Sequence, residues 1–148
     1  MSIEWLEPSD VNGLLDVIDL INNSISNKAF FNWTRDSLTD ELQFSKTLLL
    51  KIGPDITSFI LFRELAESLE IMVLGTRPDQ VKRSYMEKEL QFLQKYAAGQ
   101  DKKIHLEVHS ANEPAIRLYR KCAFEVSHIR KDYYKDGGSA ILYVWKNR

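Results

Sequence analysis

Glu107 and Tyr119 are the side chains of this sequence best placed to move protons. Glu107 lies in Ile104 to His109, where Ile104, Leu106 and Val108 alternate onto one strand face and His105, Glu107 and His109 onto the other. Tyr119 lies on the next helix, whose start reads Asn112-Glu113-Pro114: Asn112 is a candidate N-cap and Pro114 suits the first turn. A strand carboxylate and a phenol either side of that helix start suit a base and an acid around one cleft. Both also have plain structural uses, Glu107 as a polar strand residue and Tyr119 as core with a satisfied hydroxyl.

Other chemistries are less well supported. His105, Glu107 and His109 have the side-chain types of a metal site, but no fourth ligand is identifiable, so a polar strand face is expected and no metal. Cys122 sits at a helix C-terminus, where the dipole disfavours a thiolate, and is expected to pack. His128 to Lys135 alternates basic and aromatic residues, which suits the rim of a peptide groove as well as contact with RNA. Twenty basic against twenty-one acidic residues leave a net charge of −1, so no global field favours nucleic acid or an anionic membrane.

The elements that must position these residues form a mixed α and β order. With 148 residues, 44% of them hydrophobic, the chain suits one domain, residues 1–148, with one continuous core. A single cysteine excludes an intramolecular disulfide. No basic leader or long apolar run appears, so a soluble, cytoplasmic protein is expected. Ser2 to Leu6 reads as a strand, and Val11, Leu14, Leu15, Ile18 and Ile21 recur at helical spacing after a Ser9-Asp10 cap. Thr34 caps a second short helix. Thr47 to Ile52, Ile56 to Phe62 and Leu69 to Thr76 read as a meander, its first turn at Gly53-Pro54-Asp55. A helix from about Ser84 to Tyr96 ends at Gly99, and after the Asn112 helix Phe124 to Tyr134 and Ala140 to Trp145 form a hairpin around Asp136-Gly137-Gly138. Trp5, Trp33 and Trp145 fit core or rim packing. The order β-α-α-β-β-β-α-β-α-β-β predicts an α+β fold, a mostly antiparallel sheet with helices on its faces.

That order, with LEVHSANEPAIRLYRKCAFEV and the following RKDYY, resembles the GNAT superfamily of N-acetyltransferases, most closely its ribosomal-protein alanine N-acetyltransferase branch. The family begins this helix with Asn and continues A-I-x-L-Y-x-K-x-G-F-E. Asn112 and Ala115 to Glu125 match, with Ala123 where glycine is usual. The resemblance implies a sheet of about seven strands with about four helices, and acetyl-CoA as co-substrate. The family's coenzyme loop, R/Q-x-x-G-x-G/A, aligns with Val81 to Met86, where Ser84 and Met86 replace both glycines. Such a loop holds a pyrophosphate on backbone N–H groups and a helix N-terminus, and glycine lets the phosphate approach closely. Lys82 and Arg83 would add charge and Ser84 a hydroxyl, with Tyr85 and Met86 opening the helix.

The implied reaction is direct acetyl transfer to a primary amine, with a protein N-terminus as one candidate. Glu107 then takes the ammonium proton, directly or through water, and Tyr119 protonates the leaving thiolate. Backbone N–H groups around Leu74, Gly75 and Thr76 would face the thioester oxygen as it gains charge. Asn112 is expected to touch the coenzyme as well as cap its helix. Asn27 to Trp33 and Tyr133 to Ser139 would wall the acceptor groove; Ser139 stands where the ribosomal branch usually has an acidic residue. The loss of glycine at Ser84, Met86 and Ala123 motivates an alternative: a domain of this fold that has lost turnover and serves as a ligand-binding or interaction module.

Overall fold

The computed structural model describes residues 1–81 and 84–147. In chain order the elements are β1 (Ser2–Trp5), α1 (Val11–Ser24), α2 (Arg35–Glu41), β2 (Lys46–Ile52), β3 (Asp55–Glu64), β4 (Ser68–Thr76), α3 (Tyr85–Ala98), β5 (Lys103–His109), α4 (Glu113–Lys121), β6 (Glu125–Arg130) and β7 (Ala140–Trp145). One seven-stranded sheet runs β1-β2-β3-β4-β5-β7-β6, antiparallel except between β4 and β5. This is the α+β architecture expected from the sequence.

Each helix buries the stripe that its periodicity marks. Leu14, Ile18 and Ile21 of α1 pack with Leu38 of α2 onto Leu49, Phe59, Leu61 and Val73. Leu90 and Leu93 of α3, with Ile116 and Tyr119 of α4, cover the other face, against Ile60, Phe62, Leu69, Ile104, Leu106 and Val108. The sheet is therefore sandwiched between α1/α2 and α3/α4. Within the second layer α3 buries a carboxyl: Glu89 is fully covered, and Ser58 Oγ donates to its Oε1 at 2.6 Å while its Oε2 has no partner among the described residues. Burial pushes this carboxyl up to about 8, so it is largely neutral at pH 7.

The parallel pair creates the opening on which the site depends. β4 and β5 pair only at Ser68, Leu69 and Glu70 with Lys103, Ile104 and His105. Both strands continue, β4 to Thr76 and β5 to His109, without pairing further. An irregularity of the β3–β4 register between Leu61 and Phe62 leaves Met72 as the extra residue on β4, just where the strands part.

The last hairpin is shorter than its sequence suggests. β6 ends at Arg130, and residues 131–139 form a loop. Asp132 adopts a left-handed backbone, φ 52°, which cannot continue a ladder, so Tyr133 and Tyr134 leave the sheet.

Candidate active site

Glu107 opens onto the α1/α2 side of the gap between β4 and β5. It lies on the strand face opposite Leu106 and Val108, whose side chains enter the α3/α4 core. The carboxylate is exposed, and Tyr134 Oη donates to its Oε1 at 3.0 Å. Burial and the Glu107 carboxylate hold the Tyr134 phenol well above its usual range, so it remains a donor across the working pH range. The two residues share a cleft of about 370 Å³ with Phe30, Trp33, Glu70 and Met72. No Lys or Arg is among its described lining residues, so it suits an ammonium group.

Tyr119 approaches the same cleft from the α3/α4 side. Its ring is buried between Phe124 and Tyr143, centroids 5.8 and 5.9 Å away, and α4 directs it into the gap. Burial raises the phenol far above its ordinary value, so it is protonated at neutral pH. The opening thus has a carboxylate on one side and a protonated phenol on the other.

A second cavity, of about 680 Å³, lies between the starts of α3 and α4 and is closed from the other side by Ile21 and Ile25 at the end of α1 and Phe30 and Phe31 after it. It is lined by Leu74, Gly75 and Thr76 at the end of β4, by Ser84, Tyr85 and Met86 at the start of α3, and by Asn112 at the start of α4. These are the residues expected to hold the coenzyme, apart from Lys82 and Arg83, which lie outside the described residues. Three features fit an elongated phosphate-bearing thioester. The β4 edge toward β5 has no ladder partner beyond Glu70, which leaves backbone N–H groups free to bind. α3 begins at this cavity, and the first N–H groups of a helix have no partner within the helix. Arg117 and Lys121 supply charge, and Lys121 also bridges to Glu87 at 2.9 Å.

Both lost glycines with a backbone role keep the glycine-type conformation. Ser84 is left-handed, φ 59° and ψ 19°, immediately before α3. Ala123 is left-handed too, φ 67°, and closes α4 with paired bonds from Phe124 N to Tyr119 O at 2.9 Å and Ala123 N to Arg120 O at 3.0 Å. The turns persist at a conformational cost of about 1–2 kcal/mol per residue. Met86 is 8% exposed, and its side chain packs into the α3/α4 core beside Leu90. Replacement of glycine has therefore preserved both turns.

Asn112 is the N-cap of α4. Its Oδ1 caps α4 by accepting from Ala115 N at 3.4 Å, and the residue lines both cavities. Sequence reasoning missed Glu70, whose strand face becomes clear only from the register, and missed that His109 is buried. Phe30 and Tyr134 cover its ring.

Comparison with known proteins agrees with this geometry. The family model described as "Acetyltransferase (GNAT) family" matches residues 18–124. A Bacillus subtilis (strain 168) protein, provisionally named [ribosomal protein bS18]-alanine N-acetyltransferase, is 26% identical over 117 residues, spanning 76% of this chain and 78% of that protein. The crystal structure of the ribosomal-protein-S18-alanine N-acetyltransferase from Escherichia coli is similar over 98% of this chain and 92% of its own, with a TM-score of 0.85 and 19% identity. Arabidopsis thaliana NAA60 in complex with acetyl-CoA is similar over 98% and 97%, with a TM-score of 0.77 and 15% identity.

Proposed function

The chain belongs to the GNAT family of acetyltransferases, and from that premise we propose that the amine it acetylates is the N-terminal amine of a protein, a ribosomal protein being the favoured kind. Transfer of acetyl from acetyl-CoA to an amine is the family's reaction. The observation that carries the finer reading is the β4–β5 opening, with Glu107 on one side and Tyr119 on the other. A cleft with no Lys or Arg among its described lining residues on the acceptor side, facing a cavity with Arg117 and Lys121 on the coenzyme side, separates a cationic acceptor from an anionic co-substrate.

In this reading the chain's own groups divide the work. Glu107 accepts a proton from the acceptor ammonium and frees the nitrogen lone pair to attack the thioester carbon. The N–H groups of Leu74 and Thr76, which alternate away from β3, stabilise the carbonyl oxygen as it gains charge. Tyr119 gives its proton to the departing sulfur as the carbon–sulfur bond breaks, the nitrogen releases its second proton to solvent as the amide forms, and Tyr119 takes a proton back from solvent. Ser84, Tyr85 and Met86 offer backbone N–H groups to the phosphates, with Asn112 beside the thioester arm. Lys82 and Arg83 add charge near the same loop. Ser84 and Ala123 keep the turns that glycine would make, which disfavours a domain without turnover.

The cleft walls support a peptide. Phe30 and Trp33 on one side and Tyr133 and Tyr134 on the other give apolar surface with a few polar tips, suited to a short extended chain. Such an acceptor places the enzyme with newly made protein, in the cytoplasm. The experiment is a mass-spectrometric acetylation panel: peptides with a free α-amine, the same peptides blocked at the α-amine with a free lysine, and small amines. Acetylation confined to free α-amines is expected. Acetylation of lysine or small amines alone would refute the acceptor assignment.

A further inference from the structure

His109 has no part in the proton transfers, yet it joins the walls of the acceptor cleft. It follows Glu107 by one strand repeat on the same face of β5 and is 4% exposed. Its ring meets Phe30 of the α1–α2 connection, centroids 5.1 Å apart, and stacks on Tyr134 of the β6–β7 loop at 4.6 Å and 23°. Nδ1 accepts from Ala111 N at 3.0 Å, so the proton of the neutral ring sits on Nε2 and is donated to Asp136, 2.8 Å from Oδ2 and 3.0 Å from Oδ1. Asp136 also accepts from Gly138 N at 2.9 Å, and Asn27, on the Phe30 side of the cleft, helps to hold its carboxyl below the usual carboxylate range after His109 and the Gly138 N–H.

The contact at Gly138 is too close for any larger residue. A Cβ there would stand 2.2 Å from His109 Cε1 and 2.3 Å from Nε2. Imidazole, carboxylate and glycine therefore form one fitted unit that ties the loop to the end of β5. Tyr134, which donates to Glu107, stacks on that unit.

We propose that His109 is a positioning residue for the acceptor: it clasps the α1–α2 connection and the β6–β7 loop together, holding Tyr134 against Glu107 and setting the width of the acceptor cleft. The proposal rests on reading this cleft as the acceptor side. The clasp acts mainly on the acceptor, because His109, Asp136, Gly138 and Tyr134 do not line the coenzyme cavity, and Phe30 is the one clasped residue that lines both.

A double-mutant cycle on His109→Ala and Gly138→Ala tests it. Each single variant is expected to raise the acceptor KM by about tenfold, with the acetyl-CoA affinity unchanged. The double variant is expected to be no worse than either single one, because removing the ring makes room for the new methyl group. His109→Gln, whose amide can still donate to Asp136, is expected to recover part of the loss. Multiplying penalties, or a fall in kcat with KM unchanged, would overturn the clasp. Hydrogen exchange gives a readout that needs no acceptor: residues 131–139 should exchange faster in both single variants, with α1 and β3 as protected as in the wild type. Unchanged protection of that loop would overturn the clasp even if the acceptor is correctly identified. A wild-type protein that acetylates no α-amine, but whose loop loosens as described, would refute only the acceptor reading.

Discussion

Tyr134 Oη donates a 3.0 Å hydrogen bond to Glu107 Oε1, joining the last loop to the strand carboxylate on the acceptor side of the sheet. A hydrogen bond to a charged group contributes about 1.5–3 kcal/mol. Here it fixes one carboxylate oxygen and leaves the other for the incoming amine. Tyr134→Phe keeps the stack on His109 and deletes only this bond. We expect its kcat/KM for the acceptor to fall about tenfold or more, with acetyl-CoA affinity unchanged, in steady-state kinetics with each substrate varied. A rise in kcat/KM would instead mean that the phenol competes with the acceptor for Glu107.

Tyr119→Phe separates packing from proton donation. The ring packs between Phe124 and Tyr143, while the residue lines the cleft. The variant should melt within about 0.5 kcal/mol of wild type and lose at least about tenfold in kcat. Unchanged kcat would assign the residue to the core alone.

The left-handed residues where the family uses glycine predict stabilisation. Ser84→Gly and Ala123→Gly each relieve a side chain in the left-handed region, φ 59° and 67°. The gain in unfolding free energy should be about 1 kcal/mol each after the extra entropy of the unfolded chain is subtracted. Denaturant titration measures it. Ser84→Gly should also tighten acetyl-CoA binding in calorimetry, whereas Ala123→Gly, away from the coenzyme cavity, should not.

Glu89 predicts a pH dependence of stability. Its carboxyl is pushed up to about 8 in the fold by burial, against an ordinary value of 4.5. Between those values the folded chain holds a proton that the unfolded chain has lost, so this group's contribution to stability falls as pH rises from about 4.5 to about 8. Above that range both states are ionised and the slope ends. Glu89→Gln keeps an acceptor for Ser58 Oγ and removes the titration. It should unfold with a flatter pH profile than wild type and be more stable by at least about 1 kcal/mol at pH 8.5. Parallel profiles would show that Glu89 is ionised in the fold.

Much of this was legible in the residues because local chemistry and tertiary structure agree. Alternation in Ile104 to His109 set the faces of β5, Asn112 caps α4 as its sequence position suggests, and the stripe of α1 is the buried one. What could not be read depends on contacts between distant segments. The parting of β4 from β5 after Glu70 is a matter of register, and no local pattern announces where a parallel pair stops. Tyr133 and Tyr134 carry strand-type propensity, but the left-handed Asp132 removes them from β6 and lets Tyr134 reach Glu107. The alternating pattern also marks His109 as polar-facing, yet Phe30, Asn27 and Asp136, far apart in sequence, enclose it or its partner.

The most direct test of the central claim, that Glu107 activates an N-terminal amine in the β4–β5 opening, compares wild type with Glu107→Gln in acetyl-CoA-dependent acetylation of a peptide bearing a free α-amine. Mass spectrometry follows the product, with calorimetric acetyl-CoA affinity as the control for folding. Wild type is expected to acetylate the α-amine, and the variant to lose about 10²–10⁴-fold in kcat with coenzyme affinity retained. Equal turnover by the two proteins would contradict it.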